Sequence, residues 1–158
     1  MKGEILHMDH TAFESLHEFF TPQKIAVIGA STKNFWFSNM VKNAEKAGFT
    51  GQFLPVNPHA KEVCGISTHA SISDLPEGGV DFGVVIVKSS LVMESIKGLK
   101  GKGVRNILLI SSGFAEMGAE GKLLQDSLSG FCRENDIRLM GPNCLGYMNL
   151  TSGVSGFT

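Results

Sequence analysis

The sequence lacks most of the features that mark specialised protein classes. Its 158 residues carry 14 Lys and Arg against 15 Asp and Glu, a formal net charge of −1, so no basic excess points to nucleic acid. No apolar run approaches the roughly 18 residues that a bilayer-spanning helix needs. The opening MKGEILHMDH has none of the apolar core of a secretory signal. The expectation is a cytoplasmic protein with neither membrane nor nucleic acid as partner. The three cysteines, Cys64, Cys132 and Cys144, form no CxxC pair and are odd in number, which excludes a disulfide framework and suits reduced thiols. None of the five histidines stands in a metal-ligand or nucleophile pattern, and Ser111-Ser112-Gly113 is not a nucleophile elbow. The sequence therefore offers no catalytic residue and no metal site. Heptads, internal repeats and low-complexity tracts are absent as well.

What is present is a regular alternation. TAFESLHEFF sets Ala12, Phe13, Leu16, Phe19 and Phe20 on one face of an N-terminal helix that Thr21-Pro22 ends. KIAVIGA reads as a strand. Trp36, Phe37, Met40, Val41, Ala44 and Ala47 then recur at helical spacing, with Gly48 placed to stop the helix. QFLPVNP is a second strand interrupted by proline, and DFGVVIV a third, apolar throughout as a strand covered on both faces should be. A helix capped by Ser89 and Ser90 follows, with Leu91, Val92, Ile96 and Leu99 inward and Gly103 behind it. RNILLI, a helix through Leu123, Leu124, Leu128 and Phe131, and IRLM complete the series. The pattern predicts an α/β fold, a doubly wound, Rossmann-like parallel sheet, with strand order 3-2-1-4-5 as the expectation. Residues 1–21 form the N-terminal segment and helix, 22–150 the binding domain, and 151–158 the start of a linker to a second domain.

Ligands of such sheets bind outside the carboxyl ends of the strands. Those ends read GAST, NPHAK, KSS, SSGFAE and GPNC, all rich in turn-forming and polar residues. At the first, a dinucleotide pattern G-x-G-x-x-G would begin at Gly29, but its second and third glycine positions hold Ser31 and Asn34. The second strand ends without the acidic residue that holds the ribose of NAD; Lys61, with His59, suits a ribose phosphate instead. NADP and coenzyme A both carry one. A helix N-terminus with Ser31, Lys33 and Lys61 would attract anionic phosphates. In the aromatic run Phe35-Trp36-Phe37, Trp36 and Phe37 are expected in the core and Phe35 at the ligand.

FFTPQKIAVIGAS, GFTGQFLPVNP, VDFGVVIV, GVRNILLISSGFAEMGAEG and IRLMGPNCLGYMN, in that order and spacing, resemble the N-terminal coenzyme A-binding domain of NDP-forming (ADP-forming) acyl-CoA synthetases. The succinyl-CoA synthetase alpha subunit is a more distant relative. The likeness runs from Phe19 to Asn149, and SSGFAEMGAEG followed by GPNCLG is its most specific portion. The resemblance implies that Gly29, Ala30 and Ser31 form a turn facing the CoA phosphates, with Lys33 supplying charge. It implies that Asn57, Pro58 and Lys61 border the nucleotide, and that Val87, Lys88 and Ser89 line the adenine or pantetheine side. Ser111, Ser112, Gly113 and Phe114 would lie near the thiol-bearing arm, with Glu116 and the turn Gly141-Pro142-Asn143-Cys144 toward the reaction centre. The chain departs from the family in TKNFWFSN, where a glycine-containing turn is usual.

The function implied is that of a CoA-binding domain of an acid–thiol ligase, not catalytic alone, with CoA or acyl-CoA as ligand. Its other partners would be C-terminal synthetase domains or a separate subunit, and an exposed apolar face would favour homo-oligomers. Two alternatives remain at this stage: a CoA- or acyl-CoA-sensing regulatory domain of a protein acetyltransferase, and an NAD(P)-binding domain.

Overall fold

A computed structural model describes residues 10–33 and 35–156. Asn34, the third position of the dinucleotide pattern, lies outside the described residues, as do the side chains of Ala12 and Phe13. Five parallel strands form the central sheet: β1 (Lys24–Ile28), β2 (Gln52–Val56), β3 (Phe82–Val85), β4 (Asn106–Leu109) and β5 (Arg138–Met140). Four helices accompany them: α1 (His10–Phe20), α2 (Phe35–Lys46), α3 (Ser89–Gly101) and α4 (Ala119–Glu134).

Alternate strand residues go to opposite faces, and because both faces are covered, both sets are apolar. Ala26, Ile28, Val85, Ile107 and Leu109 meet Val92, Ile96 and Leu99 of α3 and Leu128 and Cys132 of α4. Ile25, Val27, Val84 and Leu108 meet Phe19 of α1 and Phe37, Met40 and Ala44 of α2. The sheet is thus wound on both sides, as expected. Two helices end as their glycines suggest. Phe49 and Gly48 donate to the carbonyls of Ala44 and Glu45 after α2, and Val104 and Gly103 to those of Leu99 and Lys100 after α3, the paired bonds of a Schellman motif.

Three expectations are corrected. The strand order is β2-β1-β3-β4-β5, so β2 lies at the sheet edge and not between β1 and β3. Pro55 explains this: its carbonyl points to the outer side, where it accepts from the His69 amide at 2.9 Å. Its hydrogen-free nitrogen points the same way, and an interior position would have lost a ladder bond there. The connection from β2 to β3 carries no α-helix, only a hairpin (Glu62–Val63 with Ile66–Ser67) and one short turn at Ile72–Asp74. Second, Leu91 and Leu123 are exposed at 48% and 71%; the inward stripes run through Val92, Ile96 and Leu99, and through Leu124, Leu128 and Cys132. Third, neither serine caps α3. Lys88 stands at the cap position with no side-chain bond to the first turn.

After β5 the chain returns across the molecule. Met148–Asn149 pairs with Val154–Ser155, and Val154 and Ser155 are each 1% exposed, so residues 151–156 pack back on the domain. The Tyr147 hydroxyl donates to the Phe19 carbonyl at 3.0 Å, and the Asn149 amide to that of Phe20 at 2.9 Å. Burial, with the charge of Asp81 added, pushes the Tyr147 phenol well above its ordinary pKa, which keeps that donor protonated.

Candidate functional site

The strand order reverses between β1 and β3, and a crevice opens where the loops after them diverge. Gly29 sits at its floor. Its φ is +87°, and a Cβ there would lie 2.3 Å from the Ile86 carbonyl oxygen. The glycine is required because two backbones meet there. Its amide donates to Val56 at 3.1 Å, while the Ile86 amide donates to Ile28 at 2.9 Å, so the ends of β1, β2 and β3 are locked together.

Much of the polar chemistry on this edge is spent on the loops themselves. The Asn57 amide donates to the Ala30 carbonyl at 2.7 Å, and its oxygen accepts from the amides of His59 and Ala60 at 2.8 and 3.1 Å. The Ser31 hydroxyl accepts from the Lys33 amide at 3.0 Å. Ser111 accepts from the Val87 amide at 3.1 Å and donates to Val85 at 3.4 Å, bridging β3 and β4. Its carbonyl accepts from the Asn143 amide at 3.0 Å, which fixes the last turn. Glu116 accepts from the amides of Gly113 and Phe114 at 2.6 and 3.2 Å. The Gly113 amide above all, then those of Glu116 itself and Phe114, holds its carboxyl below the ordinary value. Ala30 and Phe114 are fully buried, and neither lines a cavity at this edge.

Two cavities remain, and they share Val87. The smaller, about 340 Å³, lies between the ends of β1 and β2 and the side of α3; Gly29, Pro58, Ile72 and Leu91 line it, with Glu94 as its one charged group. The larger, about 630 Å³, lies over β3, β4 and the last turn. Lys88, Ser89, Ser90, Ser112 and Asn143 give it a polar side, and Ile86, Ile110, Cys144 and Leu145 an apolar one. Lys88 is exposed, with no carboxylate partner among the described residues. The uncapped first turn of α3 adds the positive end of its dipole to the same place. The crevice therefore brings together Gly29, Pro58, Val87, Lys88, Ser89, Ser111, Ser112 and Asn143. Ser31, Lys33, Asn57, Lys61 and Gly113 line neither cavity; they form the loops around them.

The aromatic run departs from expectation at Trp36. Phe37 is fully buried, but Phe35 is 59% exposed and Trp36 lines the larger cavity. The two rings stack, with centroids 5.0 Å apart and planes 25° from parallel. The buried stripe of α2 is Phe37, Met40 and Ala44, so Trp36 points to its flank. Helical spacing alone put Trp36 in the core because its other neighbours at that spacing belong there. Among the described residues no group of three or more His, Cys, Asp or Glu side chains could hold a metal ion. No helix of the described residues is long and apolar enough to cross a membrane.

A doubly wound sheet with two cavities at its carboxyl edge, one carrying Lys88 and the other Glu94, defines a Rossmann-like domain for a nucleotide-bearing cofactor. The chain belongs to the CoA binding domain family, whose model matches residues 23–149, and coenzyme A is the ligand of that family. It is 34% identical to acetate–CoA ligase [ADP-forming] II of Archaeoglobus fulgidus over 96% of this chain and 22% of that protein. The alpha subunit of the acetate–CoA ligase [ADP-forming] II of Pyrococcus furiosus is 35% identical over 85% of this chain and 29% of its own. Among solved structures, the dinucleotide-forming acetyl-coenzyme A synthetase 1 of Ca. Korarchaeum cryptofilum, in complex with phosphate and ADP, superposes with a TM-score of 0.80. It shares 32% identity over 90% of this chain and 30% of that one. The chain thus spans less than a third of these three relatives.

Proposed function

We propose that this domain holds coenzyme A across both cavities and presents its thiol end to an acyl group within an ADP-forming acyl-CoA synthetase. The observation that carries the reading is the meeting of the two cavities at Val87, beside Lys88 and the N-terminus of α3. A narrow, mostly apolar slot with one carboxylate suits a purine, whose exocyclic amine Glu94 would accept. The phosphates would lie at Lys88 and the turn Ala30–Lys33, with Lys61 toward the ribose phosphate. The pantetheine arm would cross Val87 into the larger cavity, toward Ser112 and Asn143. Coenzyme A supplies the acceptor thiol; the chain's own residues bind and orient it. The NAD reading is disfavoured at the end of β2, where Asn57 is tied to the Ala30 loop and no carboxylate takes its place.

The boundaries proposed are 22–150 for the binding domain, with 1–21 and 151–158 as its flanking segments. Relatives named for acetate, 4-hydroxybutyrate and trans-feruloyl-CoA share the domain, so membership of the family does not fix the acyl group.

Calorimetric titration with coenzyme A, dephospho-CoA and NAD tests the reading. Coenzyme A should bind, dephospho-CoA about tenfold more weakly as one charge-assisted contact is lost, and NAD not measurably. Binding of NAD with coenzyme A inert would overturn the proposal.

A further inference from the structure

The apolar half of the larger cavity includes an indole, which a pantetheine arm does not require. Trp36, the chain's one tryptophan, faces a cavity that also holds Ile110, Cys144 and Leu145. Leu145 is 64% exposed and Phe35 59%, so apolar surface is presented, not buried, around the mouth. Phe35 stacks on the indole and covers one of its faces. Trp36 also packs on the core, so the indole is held between Phe35 and the core while part of it lines the cavity. A rigid flat wall beside an apolar rim favours a ring over a flexible chain, because offset or edge-to-face ring contacts add to plain burial. A polar arm ending in a thiol gains little from it. The group attached to that thiol gains more.

We infer that the Trp36–Phe35 pair is the acyl-selecting wall of this site, and that the acyl group it admits is planar and aromatic. The inference rests on the CoA reading above, since that reading is what brings the thiol end to this cavity. Trp36 acts by contact with the acyl group; Phe35 is a positioning residue that acts through Trp36.

The test compares free coenzyme A, acetyl-CoA, benzoyl-CoA and cyclohexanecarbonyl-CoA by calorimetry, with Trp36 fluorescence as a second readout in the wild type. Benzoyl-CoA should bind about tenfold more tightly than acetyl-CoA, the ratio one favourable ring contact provides, and should change Trp36 emission more. Cyclohexanecarbonyl-CoA should fall between them. Trp36→Leu should abolish the benzoyl preference, read as the ratio of benzoyl-CoA to free coenzyme A affinity in the same variant. Because Trp36 also packs on the core, Phe35→Ala serves as the variant that spares the fold, and it should reduce the preference by an intermediate amount. Equal binding of acetyl-CoA and benzoyl-CoA overturns the inference. So does equal binding of the cyclohexane and benzene thioesters, or a uniform loss of all four ligands in Trp36→Leu. Failure of free coenzyme A to bind the wild-type chain overturns the CoA reading itself, and this inference with it.

Discussion

The two halves of the ligand edge use similar residues for opposite purposes. After β1 and β2, Ser31 and Asn57 turn their polar atoms inward and hold their own loops. After β3, β4 and β5, Lys88, Ser112 and Asn143 turn theirs to the cavity. Ser111 divides the two uses within one dipeptide: its hydroxyl is engaged by Val87 and Val85, while Ser112 beside it is exposed in the cavity wall. Ser31 and Asn57 thus act as frame, whereas Lys88, Ser112 and Asn143 are free to act as contact surface. A residue of the frame should fail by loss of stability, and one of the contact surface by loss of affinity.

The sharpest way to break the frame is Gly29→Ala. The new Cβ would sit 2.3 Å from the Ile86 oxygen at a positive φ, and unfolding free energy should drop by about 3 kcal/mol or more. A fall in denaturation midpoint checks this; an unchanged midpoint would mean that β1 and β3 separate easily. Next comes a matched pair. Asn57→Ala leaves the Ala30 carbonyl and two amides without their partner and should cost ~2–3 kcal/mol, with affinity for coenzyme A lowered only as the loop loosens. Lys88→Ala should do the reverse, weakening coenzyme A three- to tenfold, or about 1 kcal/mol, with no change in melting. If both variants behaved alike, the division into frame and contact surface would collapse.

The smallest effect concerns Glu116, which is exposed and restrains the turn at Gly113. Its carboxyl is held below the ordinary value in the folded state. Its contribution is therefore complete above the ordinary glutamate pKa and is lost as the pH falls through the lowered folded value. Amide exchange at Gly113 and Phe114 should quicken on acidification over that range, beyond its intrinsic pH dependence. Glu116→Gln should remove the step.

How much of this was legible in the sequence follows from the physics of each element. All five strands stand where apolar runs placed them, most clearly β3, whose four residues are all buried and apolar because both of its faces are covered. Gly48 and Gly103 marked helix ends through a local motif. The strand order was not legible from the spacing of elements, although its cause, Pro55 in the second strand, was present in the sequence. Leu91 and Leu123 were misplaced because helical spacing defines a stripe only to within about one residue of rotation. At the site, residue type showed that the five strand ends are polar. It did not show which hydroxyl or amide is consumed by its own loop, since that depends on partners distant in sequence, such as Val87 and Ser111. Trp36 reaches the cavity wall for the same reason that the leucines lie exposed, at a helix's first turn where the flank and the core differ by one position.

The clasp of Tyr147 and Asn149 on the carbonyls of Phe19 and Phe20 has a mechanical meaning. Tyr147 packs against Phe19, Phe20 and Phe82, at the rim where β1 and β3 begin, opposite the crevice. Tension applied between residues 10 and 156 should therefore load that rim, on the side of the sheet away from the crevice, before it reaches the strand ends that line the cavities.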